Sequence, residues 1–242
     1  MLKITNFSIK YGSKQVINDV SFDTAGGELC ALLGLNGSGK TTLLKGLCRL
    51  APVTSGRFYY GDTDLTGLNE KKRAGYISYI PQRHSKLIGI SVLDAVLMGL
   101  NTRLGLFDSS TKAHRYEAVK ALEKLEIPHL AEEDFSHLSE GQKQLVILAR
   151  TLLQNTPVML LDEPDSSLDF PNKHMSLLKI RDLVHKEKKA CIVTLHDPNL
   201  ALKYCDKLVL LDRGKVLSTL KVTGASEEDT KKCLSSIYGD TL

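Results

Sequence analysis

The sequence predicts an α/β fold: a core with a mostly parallel sheet, an N-terminal antiparallel β subdomain and an inserted α-helical subdomain. Three observations predict it. Two short apolar segments around a turn at residues 11–13 open the chain, as in an antiparallel hairpin. Strand-length apolar runs then alternate with helical patterns, which is typical of a parallel sheet. In the middle of the chain this alternation stops, and helical patterns follow one another.

The first third of the chain is predicted to be mainly strands. They are short and apolar, and they cover residues 2–9, 16–22, 28–33, 57–60 and 76–80. The run at 28–33 is almost continuously apolar, as expected for a strand that is buried on both faces. A glycine-rich loop at 34–39 leads into a helix at 40–50, which stops before Pro52.

The middle of the chain is predicted to be helical. Ser91 and Asp94 have the spacing of a capping box at the start of a helix over 91–100. Apolar residues at helical spacing predict two further helices, at 112–125 and at 140–153.

In the last third, strands and helices alternate again. Strands are predicted at 158–161 and 191–195, on either side of a helix at 173–187. Residues 208–211 and 216–220 form the pattern of a β-hairpin.

We expect a single domain over residues 1–242. Its α/β core comprises residues 1–83 and 153–220, and its helical subdomain comprises residues 84–152. The remaining residues, 221–242, form a C-terminal tail in which the sequence predicts no element.

The composition is that of a globular protein. Of the 242 residues, 42% are hydrophobic and 25% are charged, which excludes a disordered or collagen-like chain. The net charge of +4 is too small to demand a nucleic-acid partner. The apolar runs are far shorter than the roughly 20 residues that cross a bilayer, and the N-terminus lacks the apolar core of a signal peptide. The five cysteines contain no C-x-x-C pair, so we interpret them as small buried side chains in a reducing cytoplasm.

A phosphate-binding loop follows the third predicted strand. Residues 34–41 match G-x-x-x-x-G-K-[ST], the pattern of the P-loop NTPases. Glycines let backbone N–H groups surround a phosphate chain, and the following helix points its positive end at the same anion. Lys40 supplies charge for the β- and γ-phosphates, and the Thr41 hydroxyl is a ligand for Mg²⁺. The predicted ATP-binding residues of this segment are Gly34, Asn36, Gly37, Ser38, Gly39, Lys40, Thr41 and Thr42.

Two further predicted strands end in polar side chains. The strand at 158–161 runs into Asp162 and Glu163, and the strand at 191–195 runs into His196. In an open α/β sheet, ligands bind beyond the carboxyl ends of the strands. We therefore expect Asp162 to meet Mg²⁺ and Glu163 to accept a proton from an attacking water. We expect His196 to contact the γ-phosphate.

Residues 138–142 narrow the choice of family. Their sequence, LSEGQ, closely resembles the LSGGQ signature of the ATP-binding subunits of ABC transporters, and Gln142 stands 20 residues before the metal-binding aspartate, as in that family. Ser139 and the amide of Gly141 lie at a predicted helix N-terminus, which is a site for a γ-phosphate. Glu140 replaces the family's first glycine. We interpret it as a tolerated variant whose side chain turns away or tunes the affinity for ATP.

The resemblance covers nearly the whole chain and implies roles for further residues. Tyr11 stands where the family stacks an aromatic ring on adenine, an interaction worth roughly 1–3 kcal/mol. Gln82 resembles the Q-loop glutamine, a ligand of Mg²⁺ or its water and a sensor of the membrane partner. Asp169 resembles the D-loop aspartate, which crosses to the other subunit, and His196 resembles the H-loop histidine.

Residues 195–206 are similar to the ATPases of iron-chelate, haem and vitamin B12 importers. They keep most of that subfamily's HDLNLA…YCD pattern, but Pro198 replaces a leucine. Of a second subfamily motif, GR-x-P, the chain keeps Gly99. The resemblance implies import of an iron chelate, haem, cobalamin or a related metal compound.

The resemblance also implies an assembly. Each ATP would lie between the phosphate loop of one subunit and Ser139, Gly141 and Gln142 of the other, in a head-to-tail homodimer with two equivalent sites. Because the chain has no predicted span, separate integral membrane permease subunits would dock near Gln82 and the helical subdomain. The implied location is peripheral, on the cytoplasmic face of the cell membrane.

Other functions share these motifs. The main alternative is a soluble ABC ATPase in nucleic-acid, ribosome or iron–sulfur assembly processes, which a basic stripe with aromatic residues would favour. The basic run at 186–189 is short and is interpreted as a solvated helix end, so we expect no nucleic-acid partner. An exporter subunit and a scaffold with inactive motifs are further alternatives. Exporters often fuse the membrane span to the ATPase, and a scaffold would not need the charged motif residues.

Overall fold

The computed structural model describes residues 1–82, 87–102 and 110–239. The predicted start of the helical subdomain at residue 84 and the end of the predicted tail, 240–242, lie outside this part of the chain.

Strands and helices alternate along most of the chain. In chain order the strands are β1 (Leu2–Tyr11), β2 (Lys14–Thr24), β3 (Glu28–Leu33), β4 (Val53–Tyr60), β5 (Thr63–Asp64), β6 (Ile77–Ile80), β7 (Val158–Asp162), β8 (Ala190–Thr194), β9 (Lys207–Asp212) and β10 (Lys215–Lys221). The helices are α1 (Lys40–Leu47), α2 (Glu70–Ala74), α3 (Val92–Leu97), α4 (Lys112–Lys124), α5 (Glu140–Gln154), α6 (Phe170–Lys186), α7 (Pro198–Tyr204) and α8 (Glu227–Tyr238). Short 3₁₀ turns lie at Met98–Thr102, Pro128–Leu130 and Phe135–His137.

The predicted N-terminal antiparallel sheet is confirmed. Its strand order is β2-β1-β4-β5, and β1 pairs antiparallel with both β2 and β4. The rings of Phe7 and Phe58 meet edge to face, with centroids 5.7 Å apart. Both belong to a buried cluster that also contains Leu43 and Leu44 of α1. This packing holds the antiparallel sheet beside the helix that follows the phosphate loop.

The second sheet is mostly parallel, as predicted. Its order is β10-β9-β3-β8-β7-β6; β10 runs antiparallel to β9, and the other neighbouring strands are parallel. The strands β7 and β8 are buried along their whole length, as expected for strands covered on both faces. Since β3, β8 and β7 are neighbours, their carboxyl ends meet at one edge of the sheet.

The helices predicted in the middle of the chain are present as α3, α4 and α5, which pack on one another. Their apolar faces belong to the larger buried cluster, which also includes residues of the parallel sheet. The short helices α2 and α7 were not predicted. The tail, for which no element was predicted, contains α8, which buries Cys233 and Leu234. In the described ranges, no helix combines the length and the hydropathy that a membrane span requires.

The five cysteines, predicted to be small buried side chains, are all free. Four of them are buried and Cys48 is half-buried. Burial raises the pKa of the Cys30 and Cys48 thiols to about 12. Thiols of such high pKa react slowly at neutral pH, because the thiolate is the nucleophile.

Gly99 lies in a 3₁₀ turn that packs against α5. A Cβ at this position would collide with the carbonyl oxygen of Arg150, a backbone atom that cannot rotate away. We expect Gly99→Ala to lower the free energy of unfolding by about 1–3 kcal/mol, measured by urea denaturation. Gly67→Ala is the matched control, because a Cβ at Gly67 meets nothing within 4 Å. Equal stability of the two variants would contradict the close packing at Gly99.

Candidate active site

The phosphate loop joins β3 to α1, and it begins and ends with a tightly packed glycine. Gly39 precedes the first turn of α1 with a φ of 109°, which favours glycine. A Cβ at Gly39 would press on the side chain of Ile17 in β2, and a Cβ at Gly34 would collide with the carbonyl oxygen of Leu211 in β9. The loop therefore fits between these strands because both positions lack a side chain.

The loop borders an open pocket of about 260 Å³. The pocket is lined by Val16, Asn36, Gly37, Ser38, Gly39, Lys40, Thr41, Thr42 and Glu163. The first N–H groups of a helix have no hydrogen-bond partner within the helix. In α1 the residues that carry these N–H groups line the pocket. The pocket thus has the donors and the positive helix end that bind a phosphate chain.

Lys40 is buried beneath the loop. Its Nζ donates hydrogen bonds to the carbonyl oxygens of Gly34, at 2.7 Å, and Leu35, at 3.4 Å. Burial lowers the pKa of Lys40 from its ordinary value, whereas the carboxylates of Glu163 and Asp162 act in the opposite direction. An ammonium group is therefore already held at the loop, beside the place where phosphates would bind.

Asp162 is the last residue of β7 and is buried. Its Oδ1 accepts hydrogen bonds from the hydroxyls of Thr41, at 3.0 Å, and Thr194, at 2.9 Å. Its Oδ2 accepts a hydrogen bond from the hydroxyl of Tyr79, at 3.2 Å. Three hydroxyl groups from different elements thus fix the orientation of this carboxylate.

The side chains of Thr41 and Asp162 offer oxygen atoms, the donor type that Mg²⁺ prefers. Within the described ranges, no group of three or more His, Cys, Asp and Glu side chains is arranged to hold a metal ion. A few protein oxygens completed by phosphate and water oxygens are usual for Mg²⁺. The donor set at Thr41 and Asp162 fits that kind of site.

Glu163 follows Asp162 and has a positive φ of 48°. One carboxylate oxygen, Oε1, lies 2.7 Å from Nε2 of His196, and the other accepts a hydrogen bond of 2.5 Å from Nε2 of Gln82. The structure thus brings Gln82 and His196 together at Glu163, which lines the pocket. A carboxylate in this place can take a proton from a water beside the γ-phosphate.

The signature segment caps α5. The Ser139 hydroxyl accepts the N–H of Gln142, at 3.3 Å, and the side-chain oxygen of Gln142 accepts the N–H of Ser139, at 3.0 Å. Glu140 forms an ion pair of 2.8 Å with Lys143, one turn along the helix. The side chain that departs from the family pattern is therefore engaged on the surface of its own helix.

Gly141 is packed against the start of α6. A Cβ at Gly141 would lie 3.2 Å from the side-chain amide of Asn172. The N–H of Asn172 is in turn capped by the carboxylate of Asp169, at 3.1 Å. The two signature positions thus differ. The side chain of Glu140 pairs with Lys143 on the surface of α5, whereas a side chain at Gly141 would press on the start of α6.

Several predicted site residues lie apart from the pocket. Ser139, Gly141 and Gln142 are not among its described lining residues, and neither is Tyr11. The Tyr11 side chain, at the end of β1, is 47% exposed. All the described lining residues except Val16 and Glu163 belong to the phosphate loop and the start of α1, and none belongs to the signature.

Tyr79 and Thr194 contact Asp162 but were not predicted as site residues. Tyr79 lies in β6, and Thr194 is the last residue of β8. The available signal is that Thr194 ends a strand two residues before His196. Its contact with Asp162 depends on the register of β7 and β8, which the sequence does not display.

Comparisons with known proteins agree with this geometry. The family model described as "ABC transporter" matches residues 17–166. The chain is 39% identical to the "Probable iron chelatin transport ATP-binding protein" of Helicobacter pylori, over 100% of this chain and 94% of that protein. It is 34% identical to the "Hemin import ATP-binding protein HmuV" of Shewanella denitrificans, over 98% of this chain and 93% of that protein.

A solved structure extends the likeness to three dimensions. It is the dimeric post-hydrolysis state of the ATP-binding cassette MJ0796 with bound ADP and Pi, with a TM-score of 0.78 and 26% identity over 93% of this chain and 100% of that chain. The family match covers more than half of the chain and includes the phosphate loop, the signature and both carboxylates. The chain therefore belongs to the ABC transporter family, as an ATP-binding and ATP-hydrolysing cassette.

Proposed function

We propose that the chain is the motor subunit of a membrane importer, bound to separate permease subunits on the cytoplasmic face of the membrane. The observation that carries this proposal is the meeting of the phosphate loop, Asp162, Glu163 and His196 at one edge of the parallel sheet. The relative named as a hemin import ATP-binding protein supports the direction of transport.

The chain's own groups divide the work of ATP hydrolysis. The loop amides and Lys40 bind the β- and γ-phosphates. Glu163 accepts a proton from the water that attacks the γ-phosphorus, and the bond from that phosphorus to its bridging oxygen breaks, which gives ADP and phosphate. His196 holds the Glu163 carboxylate through the 2.7 Å contact and reaches toward the γ-phosphate.

Thr41, Asp162 and Gln82 are proposed to hold Mg²⁺. When bound, this ion supplies positive charge that neutralises the phosphate oxygens during phosphoryl transfer. Gln82 donates its side-chain amide to Glu163 in the structure. A metal would bind the side-chain oxygen of Gln82, so its proposed role at the metal is compatible with this contact of the amide nitrogen.

We infer a head-to-tail homodimer in which each ATP contacts both copies. The signature residues Ser139, Gly141 and Gln142 lie outside the pocket lined by their own phosphate loop. A second copy related by a two-fold axis would place its signature over this pocket, next to adenine stacked on Tyr11, with Asp169 at the boundary between the copies. The dimeric state of the MJ0796 cassette supports this arrangement.

Crosslinking between two single-cysteine variants tests the dimer. An Asn36→Cys chain mixed with a Ser139→Cys chain is expected to form a disulfide-linked pair with ATP under mild oxidation, and far less of it without nucleotide. Asn36 is an exposed lining residue of the pocket. Because each chain carries one added cysteine, a link between these two positions must join different copies.

Each variant alone is the control for crosslinking through the native cysteines. Cys48 is half-buried and its raised pKa slows its reaction. Equal crosslinking in the mixture and in the separate variants, with and without ATP, would exclude the head-to-tail arrangement.

We propose that the transported compound is an iron chelate, haem, cobalamin or a related metal compound. Two relatives are named for iron chelatin transport and hemin import, and residues 195–206 are similar to that subfamily. Affinity purification of the tagged chain from mild-detergent extracts of its own cells is expected to recover an integral membrane protein. Recovery of ribosomes or nucleic acid in its place would favour a soluble ABC ATPase.

A further inference from the structure

Thr194 contacts both acidic residues at the end of β7, the carboxylate of Asp162 and the backbone of Glu163. It is fully buried, and it is the cross-strand partner of Asp162 in the parallel pair β7–β8. Its Oγ1 lies 2.9 Å from Oδ1 of Asp162 and 2.8 Å from the backbone nitrogen of Glu163. One hydroxyl group therefore bridges the side chain of one residue and the backbone of the next.

The bonding capacity of a hydroxyl group matches these two contacts. A hydroxyl has one proton to donate and lone pairs that accept. Its proton goes to the ionised carboxylate of Asp162, and its lone pair takes the N–H of Glu163. A valine in this buried place would leave the N–H of Glu163 without this partner and would remove one of the three hydroxyls that bond the Asp162 carboxylate.

The backbone of Glu163 has a particular need for that partner. The pairing of β7 with β8 ends at Asp162 and Thr194, so the next N–H, that of Glu163, lies beyond the paired part of the strands. The Thr194 hydroxyl accepts this N–H in place of a strand carbonyl oxygen. Glu163 also has a left-handed backbone, which is unfavourable for a residue with a Cβ. That conformation sets the direction in which its carboxylate leaves the strand, toward Gln82 and His196.

We propose that Thr194 is a positioning residue that orients Asp162 for Mg²⁺ and Glu163 for the attacking water. It acts through these two residues and does not itself touch ATP. This inference rests on the proposed function, because it concerns the same metal and the same base. It adds a residue from β8 that couples their orientations, so that one hydroxyl controls both metal binding and proton transfer.

Thr194→Val tests the proposal, because it keeps the shape of the side chain and removes the hydroxyl. We expect it to lower kcat about 10- to 100-fold, as is usual when the partner of a metal ligand is lost. We also expect it to remove most of the gain in affinity that Mg²⁺ gives to a fluorescent ATP analogue. In EDTA, the affinity for the same analogue should stay within about twofold of the wild type, since Lys40 and the loop are unchanged. Thr194→Ser keeps the hydroxyl and should restore both quantities.

Thr156→Val is the matched control for lost stability. Thr156 is also fully buried, and its hydroxyl bonds Ser78 and Val158 at the other end of β7. Both valine variants should lower Tm by a similar amount, but Thr156→Val should keep the kcat and the Mg²⁺ dependence of the wild type. The same catalytic loss in Thr156→Val, or no rescue by Thr194→Ser, would overturn the positioning role.

The failure of this inference can be separated from the failure of the proposed function. If wild-type affinity depends on Mg²⁺ and Thr194→Val behaves like the wild type, the role of Thr194 is overturned and the site stands. If wild-type affinity for the analogue is the same in Mg²⁺ and EDTA, the metal site itself is wrong and the inference falls with it.

Discussion

Replacing Glu163 by glutamine is expected to slow ATP turnover about 10²- to 10⁴-fold, which corresponds to roughly 3–5 kcal/mol of activation free energy. The amide has the size of the carboxylate but cannot take a proton from water at neutral pH. ATP binding should persist, because Lys40 and the loop donors are unchanged. Steady-state phosphate release and binding of a fluorescent ATP analogue measure the two effects separately.

The same variant should accumulate as an ATP-bound dimer. In the proposed cycle, loss of the γ-phosphate removes the contact that joins the two copies, so a chain that does not hydrolyse should stay paired. Size-exclusion chromatography with ATP and with ADP measures this difference. Glu187→Gln is the matched control, since Glu187 is also a hydrogen-bonded carboxylate, paired with Lys124 at the end of α6. Normal turnover in purified Glu163→Gln would exclude Glu163 as the base.

The core of the fold could be predicted because local pattern and topology agree there. The strands at 28–33, 158–161 and 191–195 are apolar runs that a parallel sheet buries on both faces. Such a sheet collects the ends of its strands at one edge. That rule brings together residues far apart in sequence, as the 3.0 Å contact between Thr41 and Asp162 shows.

The elements that were not predicted have weak local patterns. In α8 a mostly polar sequence buries Cys233 and Leu234, and such a pattern is hard to distinguish from that of a loop. The start of α7 carries Pro198, which is tolerated in the first turn of a helix but does not by itself indicate one. These helices depend on contacts with the sheet, which the local sequence does not reveal.

The hydroxyl groups around Asp162 show a second limit of prediction. Tyr79 and Thr194 are ordinary strand residues by composition, and they matter because β6, β7 and β8 are neighbours in a particular register. A shift of one residue would turn Thr194 to the other face of the sheet. By contrast, a charged residue at the end of an apolar strand is visible in the sequence, which is why Asp162 was predicted and its strand partners Tyr79 and Thr194 were not.

Replacing Lys40 by alanine is expected to weaken ATP binding about 10- to 100-fold, since a hydrogen bond to a charged group contributes roughly 1.5–3 kcal/mol. Two effects act in the same direction. The variant loses the cation for the phosphates, and it leaves the carbonyl oxygens of Gly34 and Leu35 without the donor that they have now. Binding of a fluorescent ATP analogue at constant Mg²⁺ and salt measures the loss.

Lys45→Ala is the matched control, because Lys45 is an exposed lysine of the same helix. It changes the net charge equally but should keep the affinity of the wild type. Comparison with Glu163→Gln then separates binding from chemistry. That variant should bind ATP and lose turnover, whereas Lys40→Ala should bind ATP more weakly. Lys40→Ala that binds ATP within twofold of the wild type would mean that the loop amides hold the phosphates without the ammonium group. The buried position of Lys40 would then have to be explained by its bonds to the loop alone.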